Sequence, residues 1–105
     1  MAGKKKNSDY LEHSVAGEFD AKAASNLEDT LVAKLNGSSL KGAVIDFSEA
    51  TRITAAGIAG LHRISSQMKK DNREIIISEM KSELYKALKV AGTSDGLAFT
   101  HRSVS

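Results

Sequence analysis

Gly42-Ala43-Val44-Ile45-Asp46-Phe47-Ser48-Glu49-Ala50-Thr51-Arg52-Ile53-Thr54-Ala55-Ala56-Gly57-Ile58-Ala59-Gly60-Leu61 passes from an apolar segment through a polar one into helical spacing. Residues 42–47 are short, partly β-branched and bounded by polar residues. That pattern predicts a strand covered on both faces. Residues 48–53 then read as a polar loop. Over 55–70, Ile58, Leu61, Ile64 and Met68 recur on one face, while Arg63, Gln67, Lys69 and Lys70 face away. This is the signature of an amphipathic helix, and Asp71-Asn72 turns the chain after it.

The same alternation continues in both directions. Downstream, Glu74-Ile75-Ile76-Ile77-Ser78 predicts a second buried strand, because three consecutive isoleucines suit a sheet covered on both faces. Ser82 to Val90 reads as a helix with Leu84, Ala87 and Leu88 inward and Gly92 as its C-terminal cap. Leu97 to Thr100 reads as a final edge strand. Upstream, residues 24–36 predict a helix from Leu27, Leu31 and Leu35, with Val32 widening the stripe. Ser25 and Glu28 have capping-box spacing, and Gly37 suits a left-handed cap. Residues 10–19 predict one or two short strands, with Gly17 marking a bend or close approach. Strands alternating with amphipathic helices imply an α/β fold, with a mixed, mostly parallel sheet of four to five strands and helices packed on it. Residues 9–105 form one domain in this reading, and the polar residues 1–8 a disordered N-terminus.

Composition narrows the function. Cysteine is absent from the 105 residues, which excludes disulfides, thiolate nucleophiles and cysteine metal sites. Basic residues number 15 and acidic residues 13, a balance too even to argue for nucleic acid. The five aromatics form no platform interleaved with basic residues. Lys4-Lys5-Lys6 could touch phosphates, but a solvated terminus explains the run. No stretch approaches the ~20 apolar residues of a membrane span, and no secretory signal is expected at the start. A cytoplasmic protein without direct membrane insertion is therefore expected.

His13, His62 and His101 lack metal-ligand spacing, and Asp46 and Glu49 make no persuasive acid/base pair. Asp46 reads better as a residue that bonds nearby amides. No Gly-rich phosphate loop and no supported Ser-His-Asp set is present, so neither catalysis nor a cofactor is expected.

Asp46-Phe47-Ser48 followed by Thr54-Ala55-Ala56-Gly57-Ile58 resembles the STAS domain of anti-sigma factor antagonists. In that family a buried strand ending in Asp-Leu-Ser leads to an Asp-Ser-Ser-Gly-Leu helix start. Gly17-Glu18-Phe19-Asp20 is similar to the family's turn before the first helix, and Ser82 to Gly92 to its third helix. The resemblance covers nearly the whole chain. It implies a non-catalytic regulator in a phosphorylation-controlled partner switch, working with a serine kinase/phosphatase or an anti-sigma factor.

The family's phosphoacceptor serine falls on Ala56, the preceding serine on Ala55 and the family's Asp on Thr54. Alanine has no hydroxyl, so the chain resembles the unphosphorylated state. Ala56 is either a natural feature of a non-switching member or a replacement for serine. The resemblance places partner contacts at Asp20, Ser48, Glu49, Thr51, Thr54, Ala55, Gly57 and Ile58. Asp20 is equally explained as a turn or helix cap, and capping alone explains Thr54, which is the substitute acceptor if there is one. STAS regulators also act in biofilm pathways of the SypA type, which no motif here isolates. Another alternative is a STAS accessory subunit binding the ATPase of a lipid-trafficking ABC transporter, a role that needs no phosphoserine.

Overall fold

The computed structural model describes residues 9–92 and 98–100. Strand β1 (Tyr10–Phe19) leads to helix α1 (Ala21–Leu35), β2 (Gly42–Ile53) and α2 (Ala55–Lys70). Strand β3 (Glu74–Ser78), α3 (Ser82–Val90) and β4 (Ala98–Thr100) complete the order. The expected alternation of strand and helix is present. Residues 1–8, Leu97 and the tail from His101 lie outside the described residues.

The strands form one sheet in the order β1-β2-β3-β4, and every neighbouring pair is parallel. Parallel neighbours require crossover connections, and the helices supply them. Sequential order with crossovers of one hand sends all three helices to the same face. The core is accordingly one layer. Ala43, Ile45 and Phe47 of β2 and Ile75 and Ile77 of β3 pack with Leu27 and Leu31 of α1, Leu61 and Ile64 of α2, and Leu84 and Leu88 of α3.

That arrangement corrects the expectation of strands covered on both faces. Val44 and Ile76 point to the other side of the sheet, are only half-buried, and are not part of the core cluster. Sheet alternation, and not a second helical layer, sets their environment.

Three local readings also change. Helix α1 begins at Ala21, not at residue 24, because Asp20 is its N-cap and accepts from the Ala23 amide at 2.9 Å. The Ser25–Glu28 capping box is therefore not formed. Ser25 is exposed within the helix, and Glu28 instead meets Arg63 of α2 at 3.1 Å. Val32 does not widen the apolar stripe. It is 59% exposed, and Ala24 takes the buried place one turn before Leu27. Gly37 does adopt the left-handed conformation, with φ +79°.

The largest change concerns residues 48–53, which continue β2 instead of forming a loop. They pair with β1, through Ala16↔Glu49, Gly17↔Ala50, Glu18↔Arg52 and Phe19↔Ile53. Register shifts between Ser14 and Ala16 and between Gly17 and Glu18 accommodate the extension. Strand β3 ends opposite Asp46, so among the described residues this part of β2 has no strand on its other side. Lys81, the N-cap residue of α3, fills the gap. Its ammonium donates to the carbonyls of Ser48 at 3.1 Å and Ala50 at 2.9 Å.

Candidate functional site

The paired ends of β1 and β2 fix where α1 and α2 begin. Phe19 lies opposite Ile53, and the Thr54 amide donates to the Phe19 carbonyl at 3.1 Å. One residue later each chain turns into its helix, so the N-caps Asp20 and Thr54 sit at the same end of the sheet. Thr54 accepts from the Gly57 amide at 3.0 Å through its hydroxyl, and its carbonyl accepts from Ile58 at 2.9 Å. The amides of Ala55 and Ala56, at the first helical positions, have no intrahelical acceptor.

Both alanines are exposed. Neither helix carries an acidic side chain in its first turn. The positive ends of two long helix dipoles therefore converge, with the Asp20 carboxylate as the capping negative charge beside them. Arg52 and Glu18 form an exposed ion pair of 3.7 Å immediately before the two helix starts. Sequence reasoning overlooked this pair, because its members are far apart in the chain and meet only through strand register.

The residues named from sequence divide into three groups. Asp20, Thr54, Ala55 and Ala56 come together at the helix starts. Gly57 and Ile58 belong to the packing beneath. Gly57 is buried against the Phe19 backbone, and Ile58 is half-buried against the core. Ser48, Glu49 and Thr51 are exposed on the extended part of β2. Ser48 lies six residues before Thr54, up to about 20 Å along an extended strand. It adjoins Lys81, and its amide donates to Asp46 Oδ1 at 2.8 Å. Asp20 and Thr54 thus lie together at the helix starts without Ser48. No local sequence pattern marks Lys81 as a lysine that will bond a strand 31 to 33 residues away.

Among the described residues, no group of three or more His, Cys, Asp or Glu side chains could hold a metal ion. No helix among them is long and apolar enough to cross a membrane.

A parallel sheet with helices on one face, and two helix starts beside each other at the strand ends, defines a small α/β domain with an exposed helix-start surface. The family model described as "Mlab, STAS domain" matches residues 5–99, and the chain belongs to that STAS family. No curated protein sequence matches the chain significantly. Several solved structures share the fold. A sulfate transporter family protein from Wolinella succinogenes matches with a TM-score of 0.77 and 20% identity, over 90% of this chain and 80% of that one. A variant of RsbS from Moorella thermoacetica matches with a TM-score of 0.76 and 20% identity, over 91% and 82%. The anti-sigma factor antagonist SpoIIAA in its unphosphorylated form matches with a TM-score of 0.65 and 10% identity, over 86% and 77%.

Proposed function

We propose that this chain is a non-catalytic, cytoplasmic regulatory module that docks a protein partner through the surface around Asp20 and Thr54–Ala56. Serine kinase/phosphatases and anti-sigma factors are the partner class. The observation that carries this reading is the exposure of Ala56 at the second position of a capped helix, where the backbone amide has no intrahelical acceptor. A phosphate on a serine there would carry about −1.5 to −2 charges and would sit well on the helix start. The same charge would repel and desolvate a partner surface shaped around a methyl or hydroxyl group. Binding could then change without refolding the domain. With Ala56 in place the surface stays in its unphosphorylated form. The exposed strand residues Ser48, Glu49 and Thr51 extend the docking area, and Ala55 lies at its centre.

A second reading is an accessory subunit that binds the ATPase of a lipid-trafficking ABC transporter. Two observations favour it: the matched family is described by its Mlab member, and Ala56 has no hydroxyl to modify. Tagged protein with Ala56, and the Ala56→Ser variant incubated with a partner kinase and ATP, would be used to capture partners identified by mass spectrometry. The switch reading expects a kinase/phosphatase or anti-sigma partner that releases the phosphorylated serine form. Equal retention of both forms with phosphate confirmed on Ser would overturn it. Recovery of an ABC ATPase by both forms would establish the second reading.

A further inference from the structure

The face of the sheet opposite the helices has features that the helix-start surface does not use. Strand register puts Glu12, Val44 and Ile76 in one row across β1, β2 and β3, with Tyr10, Gly42 and Glu74 in the row before and Ser14, Asp46 and Ser78 in the row after. Val44 and Ile76 are neighbours on adjacent strands, about 4.8 Å apart in the pairing direction. They form a small apolar centre that no described helix covers.

The charges around that centre have one sign. Glu12, Asp46 and Glu74 surround it, and no Lys or Arg lies in these rows among the described residues. Asp9, Lys41 and Arg73 have the opposite strand parity, and the last two are engaged there: Lys41 with Asp9 at 3.6 Å, Arg73 with the carbonyls of Ser38 and Leu40. Tyr10 adds an aromatic edge. It reaches across Gly42, which has no side chain to obstruct it, and donates its hydroxyl hydrogen to Glu74 at 3.0 Å.

We propose that this face is a docking surface for a basic amphipathic helix of a partner protein. Parallel sheets are almost always covered on both faces, usually by helices. A second layer is therefore the expected completion of an all-parallel sheet. The charge selects the occupant. A second copy of this face would bring carboxylates against carboxylates, whereas a helix with an apolar stripe flanked by Lys or Arg would cover Val44 and Ile76 and pair with the acidic rim. The surface is separate from the helix starts, so both can be engaged at once.

The test is a titration of isotope-labelled full-length chain with two synthetic helical peptides, one of Leu and Lys and one of Leu and Glu, followed by amide resonances. The Leu/Lys peptide should shift Glu12, Val44 and Ile76, and the Leu/Glu peptide should not. A Glu12→Lys, Glu74→Lys double variant, shown folded by circular dichroism, should bind the Leu/Lys peptide about threefold or more weakly, as loss of exposed charge pairs requires. Several results would overturn the proposal. One is equal binding of both peptides. Another is shifts confined to Thr54–Ala56, which would leave the helix-start reading intact. Binding that appears only after deletion of residues 1–8 would assign the face to the chain's own N-terminal segment. Self-association through these strands, seen by sedimentation, would assign it to a second copy.

Discussion

Gly57 of α2 lies directly against the backbone carbonyl of Phe19 at the end of β1, and a Cβ at position 57 would overlap that oxygen. This contact seats the start of α2 on the strand pair and so sets where Ala55 and Ala56 emerge. Gly57→Ala should destabilise the domain by about 1–3 kcal/mol, the usual cost of overpacking, despite alanine's better helix propensity. Chemical denaturation measures this. A variant as stable as the parent would mean that α2 shifts freely on β1.

Asp20 and Thr54 are separable as caps and as partner contacts. Thr54→Ala should cost about 1 kcal/mol through loss of the bond to Gly57, and Thr54→Ser should restore most of it. Asp20→Asn keeps an oxygen for the Ala23 amide and should leave stability within about 0.5 kcal/mol of the parent. If Asp20→Asn nevertheless weakens partner capture, the carboxylate charge itself is read by the partner.

Much of this arrangement was legible in the sequence, for local reasons. Ile75 to Ile77 and Gly42 to Phe47 announce strands by composition, and the spacing of Leu61, Ile64 and Met68 announces α2. Thr54 was recognisable as a cap because capping is set by the next three residues. What was not legible depends on distant chain. Ser48 to Arg52 look like a loop because they are mostly polar, yet pairing with β1 makes them strand and buries Ala50. Ser25 and Glu28 have the spacing of a cap, but Asp20 had already opened the helix four residues before Ala24. The partial exposure of Val44 and Ile76 follows from which face the crossovers take, which apolar runs do not encode.

Lys81 closes the exposed edge of β2 where β3 stops. Lys81→Met keeps the aliphatic stem and removes the ammonium from the Ser48 and Ala50 carbonyls. The side chain is exposed, so the expected loss in global stability is only about 1 kcal/mol. The local effect should be larger. Amides of residues 48–53 should exchange faster with solvent while those of β3 remain protected. Unchanged exchange over 48–53 would show that strand β1 alone holds the extension.

Tyr10 should ionise above the ordinary tyrosine range. Its hydrogen bond to Glu74 is the largest cause, followed by desolvation and by the negative charges of Glu74 and Asp9. All of these favour the neutral phenol. The folded state therefore holds the Tyr10 proton more tightly than the unfolded chain does. The resulting stabilisation is fully present below the ordinary value of about 10 and is lost as pH rises through the raised value. Glu74→Gln should move the Tyr10 titration, followed by ultraviolet absorbance, back towards the ordinary range. An unchanged titration would remove Glu74 as the cause.

Ala56→Asp separates the effect of charge on the domain from its effect on a partner. Position 56 is exposed in the first turn of a helix with no acidic side chain there, so a carboxylate has no neighbouring negative charge within that turn. It faces the positive end of the helix dipole, an interaction of about 0.3–1 kcal/mol at low ionic strength. Intrinsic helix propensity acts in the other direction by a few tenths of a kcal/mol up to about 0.7. The two nearly cancel, and the variant should unfold within about 0.5 kcal/mol of the parent. Added salt should lower its relative stability, because screening weakens only the dipole contribution. Partner capture should fall even though the fold is unchanged. A strongly destabilised variant would mean that position 56 is packed and not presented, and a folded variant with undiminished capture would place the partner surface away from the start of α2.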